Sequence, residues 1–110
     1  MGRRPNLVNK IEQALEDKKA TDVSVVYMRN NTKKAITDYY IIATANNERL
    51  LNALADVAVE TIIKNGGNIH HIEGKKANSE WVLVDAYNII VHLFTPQARI
   101  DYDLDGLEKR

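Results

Sequence analysis

Residues Ile36 to Gly67 read ITDYYIIATANNERLLNALADVAVETIIKNGG, and the apolar period changes once within them. Ile36 to Thr44 is rich in Ile and Tyr, the composition of a strand. Beyond Ala45-Asn46-Asn47-Glu48-Arg49 the period lengthens. Leu51, Leu54, Ala55, Ala58 and Ile62 then share one helical face, and Leu50, Val57 and Thr61 widen it. Either Asn can cap this helix by accepting a first-turn N–H, and Glu48 suits the positive end of the dipole. A stripe this broad belongs to a helix packed on a sheet. The helix stops at Lys64-Asn65-Gly66-Gly67, where a glycine can take the left-handed conformation and Lys64 faces the negative end of the dipole.

The same reading extends to both ends of the chain. Leu7, Ile11, Ala14 and Leu15 form an apolar helical stripe, with Asn6 after Pro5 as its expected N-cap. Val23 to Met28 is a β-branched strand, and a polar turn through Asn30-Asn31 returns it antiparallel into the strand at Ile36 to Thr44. Downstream, Asn68 to Ile72 is a short strand and Glu73 to Ser79 a loop. Glu80 to Asp85 and Ile89 to Phe94 form a hairpin across Ala86-Tyr87-Asn88. Thr95-Pro96 then offers an N-cap followed by proline at the first helical position, opening a tail that is helical in part. The order is αββαβββα. The fold class is α/β, a single mixed β-sheet with helices packed on it, in one domain over 1–110.

Composition narrows the functional classes. The chain has 110 residues, of which 45% are hydrophobic, with 15 basic residues against 15 acidic ones and no cysteine. A neutral balance argues against a dedicated or sequence-specific nucleic-acid binder. The lack of thiols excludes a disulfide scaffold and a thiolate zinc centre. No apolar run approaches a membrane span, and the basic start is not followed by the apolar stretch of a secretory signal. A cytoplasmic protein is expected.

Candidate chemistry is sparse. His70-His71 is the only histidine pair, and strand neighbours point to opposite faces, so no shared metal is expected there. Asp101-Tyr102-Asp103-Leu104-Asp105-Gly106 opens like a calcium loop, but its twelfth position falls beyond Arg110. Gly66-Gly67 leads from helix to strand, the wrong order for cradling phosphate. Asp85, at a strand end, can approach His92 across the hairpin. The alternative is that Asp85 caps the turn backbone and His92 is a half-buried strand residue. Lys33-Lys34 and Lys75-Lys76 both lie in loops. Trp81, the only tryptophan, lies in a strand bounded by Glu80 and Asp85, and an exposed Trp there points to a protein interface.

Three blocks of residues resemble one family. Thr37-Asp38-Tyr39-Tyr40-Ile41-Ile42-Ala43-Thr44-Ala45-Asn46-Asn47-Glu48-Arg49 is similar to the TDYFVIATGNSER segment of the ribosomal silencing factors, the Iojap family. Glu73-Gly74, Trp81-Val82-Leu83-Val84-Asp85 and Val91-His92-Leu93-Phe94 resemble its second block, and Arg99, Tyr102, Leu104 and Leu107 its closing one. Ala45 replaces a usual glycine, Ala86-Tyr87-Asn88 replaces a turn that usually contains Gly-Asp, and the tail lacks the usual terminal tryptophan. The resemblance implies a nucleotidyltransferase-like fold without transferase activity and without cofactors. It also implies docking on the large ribosomal subunit through its protein fourteen, so that subunit joining is blocked and translation repressed. Homodimers occur in the family. Trp81, Asp85, His92 and Glu73 are then the expected partner-binding residues, with Trp81 as an anchor outside the core. The rival readings are a small nucleotidyltransferase-like enzyme using Asp85 and His92, and a structural homodimer subunit.

Overall fold

The period change after Thr44 is a real junction. Strand β2 (Tyr39–Thr44) ends there, and helix α2 (Glu48–Lys64) begins behind Asn47, whose side chain accepts from the Leu50 N–H at 2.8 Å. Glu48 reaches from the first turn to the backbone N–H of Asn78. Gly66 closes the helix at φ +88°, and the Gly67 N–H returns to the Ile62 carbonyl at 2.8 Å. The computed structural model describes residues 5–28, 37–75 and 78–103. The other elements are α1 (Asn6–Asp17), β1 (Thr21–Tyr27), β3 (His71–Glu73), β4 (Trp81–Asp85), β5 (Ile89–Phe94) and α3 (Pro96–Tyr102), giving the expected order.

The five strands make one mixed sheet in the order β1-β2-β5-β4-β3. β1 pairs antiparallel with β2, β2 parallel with β5, and β4 antiparallel with both β5 and β3. Parallel strands cannot be joined by a tight turn. The chain leaves β2 through α2 and the β3–β4 segment before it returns as β5. Helices α1 and α2 cover one sheet face. Ile11, Leu15, Leu51, Leu54 and Ile62 pack there on Ile41, Val82, Val91 and Leu93, all with no exposed surface. Each such aliphatic side chain contributes about 1.5–3 kcal/mol on burial. The opposite face holds a smaller cluster of Val26, Met28, Ile42 and Phe94, covered at one end by Ala98 of α3.

Helix α3 is short and is tied down by polar contacts. Thr95 caps it, and its Arg99 guanidinium donates to the Asp22 carbonyl, to Thr44 Oγ1 at 3.0 Å and to Ser24 Oγ at 3.3 Å. Asp22 sits at φ +48° in the irregular stretch of the β1–β2 ladder, which turns its carbonyl toward that arginine.

Several sequence expectations shift. The N-cap of α1 is Pro5 with no side-chain cap, and Asn6 is already helical. β3 begins at His71 rather than Asn68, so Glu73 is a strand residue and not a loop one. Asp101 and Tyr102 end α3 and Asp103 is its left-handed C-cap, while the rest of the acidic run lies outside the described residues. Lys75 pairs with Asp56 at 2.9 Å. The Asn30-Asn31 turn, Ile36, Lys33-Lys34, Lys76 and Leu104 to Arg110 lie outside the described residues.

Gly74 marks the tightest point of this arrangement. Its φ is +83°, and a Cβ there would stand 2.2 Å from the Trp81 carbonyl oxygen. Gly66 has a similar φ but open space around it. Gly66→Ala should therefore cost about 1 kcal/mol from the left-handed backbone alone. Gly74→Ala should cost clearly more, about 2–3 kcal/mol, because the backbone of β4 must also move. Urea denaturation of the two variants checks the difference, and equal losses would mean that the Gly74–Trp81 approach is not required.

Candidate functional site

Alternation along β4 and β5 sends Val82, Val84, Val91 and Leu93 into the helical core and their neighbours to the other face. The register sets Trp81 opposite Phe94, Leu83 opposite His92, and Asp85 opposite Ile90. β2 extends this face, with Tyr40 beside Ile90 and Ile42 beside His92. Among the described residues α3 covers one end of this face, and Tyr40, Trp81, Leu83, Asp85 and Ile90 are partly exposed.

Aromatic rings organise that face. Trp81 stacks on Phe94 with centroids 5.5 Å apart, lies 5.7 Å from the His92 ring, and meets Tyr102 of α3 at 4.7 Å. Tyr40 meets His92 edge-on at 4.5 Å. Trp81 therefore packs against the smaller cluster without being one of its buried members. It is half-buried, packed on Phe94 and His92 of the sheet and met by Tyr102 of α3. Its Nε1–H donates to His92 Nδ1 at 3.2 Å, which assigns the imidazole proton to Nε2. That Nε2 is buried without a partner among the described residues. His92 is only 4% exposed, and burial pushes its pKa down to about 4. It is a neutral imidazole in the bed of the aromatic row.

Asp85 and His92 do not pair. They share a face but not a rung of the ladder, and each has other partners. Asp85 Oδ1 accepts from the Tyr87 N–H at 2.9 Å, bracing a hairpin in which Tyr87 takes φ +68°. Its Oδ2 lies 3.5 Å from His71 Nδ1, and Glu73 Oε2 lies 2.8 Å from His71 Nε2. The four expected residues thus fall into two groups, Trp81 with His92, and Asp85 with Glu73 joined through His71. His71 and Tyr102 were missed as members. The β3–β4 register that places His71 opposite Asp85 is a long-range pairing, and no local pattern announces it. His70 precedes the strand, so alternation does not separate the two histidines, whose ring centroids are 5.2 Å apart.

A cleft of about 540 Å³ runs between β4, the segment before it and α3. Its walls include Trp81, Leu83 and Tyr102, its rim the carboxylates of Glu73, Glu80 and Asp101, and no basic side chain lines it among the described residues. An aromatic wall under a rim of negative charge suits a cationic group, through Coulomb attraction and the faces of the rings.

The burial of His92 has a measurable consequence. An unfolded histidine titrates near 6.5 and the folded one near 4, so between those values the unfolded chain binds the extra proton. This contribution is whole above pH 6.5 and falls away as the pH drops toward 4, by on the order of 3 kcal/mol. Urea melts of the wild type should therefore lose stability across that window more steeply than those of His92→Gln, which does not titrate. Parallel slopes would refute the account of a buried neutral ring.

A family model described as "Ribosomal silencing factor during starvation" matches residues 2–109. The ribosomal silencing factor RsfS of Haemophilus influenzae is 34% identical over 101 residues, covering 92% of this chain and 96% of that one. A mouse protein named "Mitochondrial assembly of ribosomal large subunit protein 1" is 27% identical over 103 residues, 91% of this chain and 44% of its own length. In three dimensions, a crystal structure of a protein from Chromobacterium violaceum matches with a TM-score of 0.87 at 30% identity, covering 98% of this chain and 88% of that one. With its sequence matched almost from end to end and its fold shared, the chain belongs to the ribosomal silencing factor family.

Proposed function

We propose that this protein binds the large ribosomal subunit through its ribosomal protein fourteen, and that the open sheet face is the docking surface. The bound protein then blocks joining of the small subunit by occupying its place, and translation is repressed in the cytoplasm. The observation that carries this reading is the union, on one face, of a half-exposed aromatic row with an acid-rimmed cleft. Interface hot spots favour Trp and Tyr seated in packed surroundings, and complementary charge sets register and partner choice. A ribosomal protein, embedded among RNA phosphates, offers the basic surface that such a rim selects. Trp81, Asp85 and Glu73 face the partner. His92 acts from beneath, holding the indole by its one hydrogen bond.

No catalytic step is required, and the geometry does not favour one through Asp85 and His92, because His92 is buried and Asp85 is engaged with the hairpin and His71. A homodimer through the same face would compete with the ribosome rather than assist it.

Because Trp81 also packs on Phe94 and His92, its truncation mixes folding with docking. Charge reversal separates them. Glu80 and Asp101 are exposed on the cleft rim, so Glu80→Lys with Asp101→Lys should leave the urea midpoint nearly unchanged. Co-sedimentation of the pair variant with purified large subunits should weaken by about tenfold or more at physiological salt. The same reversal at exposed Glu16 on α1, behind the sheet, should leave binding intact. Wild-type protein that ignores large subunits, or a cleft variant that binds as the wild type does, would sink the proposal.

A further inference from the structure

We propose that His70, His71 and Asp85 form a binding site for a zinc-class divalent cation at the β3 edge of the sheet, with Glu73 holding His71 in the ligating tautomer. The site shares Asp85 and Glu73 with the docking face, but cation binding is read on the protein without ribosomes, so the two readings fail separately.

The site is built by the sheet. The β3–β4 register puts His71 opposite Asp85, and the His70 N–H donates to the Asp85 carbonyl at 2.7 Å, which draws the residue before the strand to the same place. The His70 ring leans on His71 at 5.2 Å and on Tyr87 at 4.9 Å. One ligand atom from each of His70, His71 and Asp85 then lies within 4.8 Å of the others. Donors around a tetrahedral zinc ion stand about 3.3 Å apart, given metal–ligand bonds of about 2.0–2.2 Å. The 3.5 Å between His71 Nδ1 and Asp85 Oδ2 is already at that spacing. His70 is exposed, and its ring must turn for its nitrogen to reach the same spacing.

The hydrogen bonds around the cluster point the same way. Glu73 Oε2 stands 2.8 Å from His71 Nε2 and so holds a proton there. His71 Nδ1 then faces the Asp85 carboxylate at 3.5 Å, a gap that either a second proton on the ring or a metal cation bridges. A carboxylate behind the distal nitrogen is the usual support of a metal-bound histidine. Asp85 is oriented in turn, because its Oδ1 is held by the Tyr87 N–H. Two imidazoles and one carboxylate suit zinc and its transition-metal neighbours rather than magnesium or calcium, which take mostly oxygen ligands. A fourth position stays open to water.

Calorimetric titration of the full chain with zinc chloride at pH 7.5 tests this directly. One ion per chain is expected, with a micromolar dissociation constant. His70→Ala and His71→Ala should each weaken binding at least tenfold, and both positions are exposed, so the variants stay folded. Glu73→Gln removes no ligand but loses the carboxylate behind His71, and should weaken binding by about 10- to 100-fold. Cobalt in place of zinc should give the visible bands of a tetrahedral centre. Absence of saturable binding by the wild type would overturn the proposal. So would unchanged affinity in a His70→Ala, His71→Ala double variant, or a cation between His71 and Asp85 that proves to be only a proton.

Discussion

The parallel pairing of β2 with β5 is the constraint on which the rest of the structure depends. Strands that run the same way cannot be joined by a turn, so the chain must leave β2, cross a sheet face and come back. Helix α2 makes that crossing, and its broad apolar stripe is the face the sheet requires. Both strands are central and nearly wholly buried, which explains the almost unbroken apolar run of β5. With α1 and α2 together on one side, the opposite side of the sheet is covered, among the described residues, by the short α3 alone. An open face is thus a consequence of the connection.

That open face is stabilised without becoming a second full core. Phe94 and Ile42 are buried in it, while Trp81 and Tyr40 stay half-exposed above them. His92 is a buried polar residue within this bed. It accepts one hydrogen bond from the indole and is held neutral by burial, so it orients Trp81 and leaves no charge under the apolar surface. Arg99 performs a comparable task for α3, tying the helix to β1 and β2 through three oxygen acceptors. Rigid aromatic area on a strand scaffold loses little entropy on docking, which is how a small face comes to bind tightly. On the proposed reading, in which the protein acts by occupying a surface, such a scaffold suits the task.

The same hairpin serves two purposes. One end of β4 presents Trp81 to the acid-rimmed cleft. The other end, at Asp85, braces the turn and faces the histidines of β3. A cation bound there would lock β3 to β4 at the sheet edge, adding to a ladder of three residue pairs. Edge strands this short are common protection against unwanted pairing, and this one also places three potential ligands together.

Local sequence determined the elements and much of their order. The period change after Thr44, the Asn47 cap and the Gly66 stop are short-range signals, because a helix or a turn is decided by residues within a few positions of one another. The family blocks around Thr37, Trp81 and Arg99 were legible for the same reason. Weaker local signals misplaced the cap of α1 and the start of β3. Only the tertiary structure decided which residues meet. It half-buried Trp81, parted Asp85 from His92, and joined Asp85 and Glu73 through His71. Those outcomes follow from strand register and from how far α3 reaches across the sheet. Both are set by packing between segments distant in the chain, which no local period encodes.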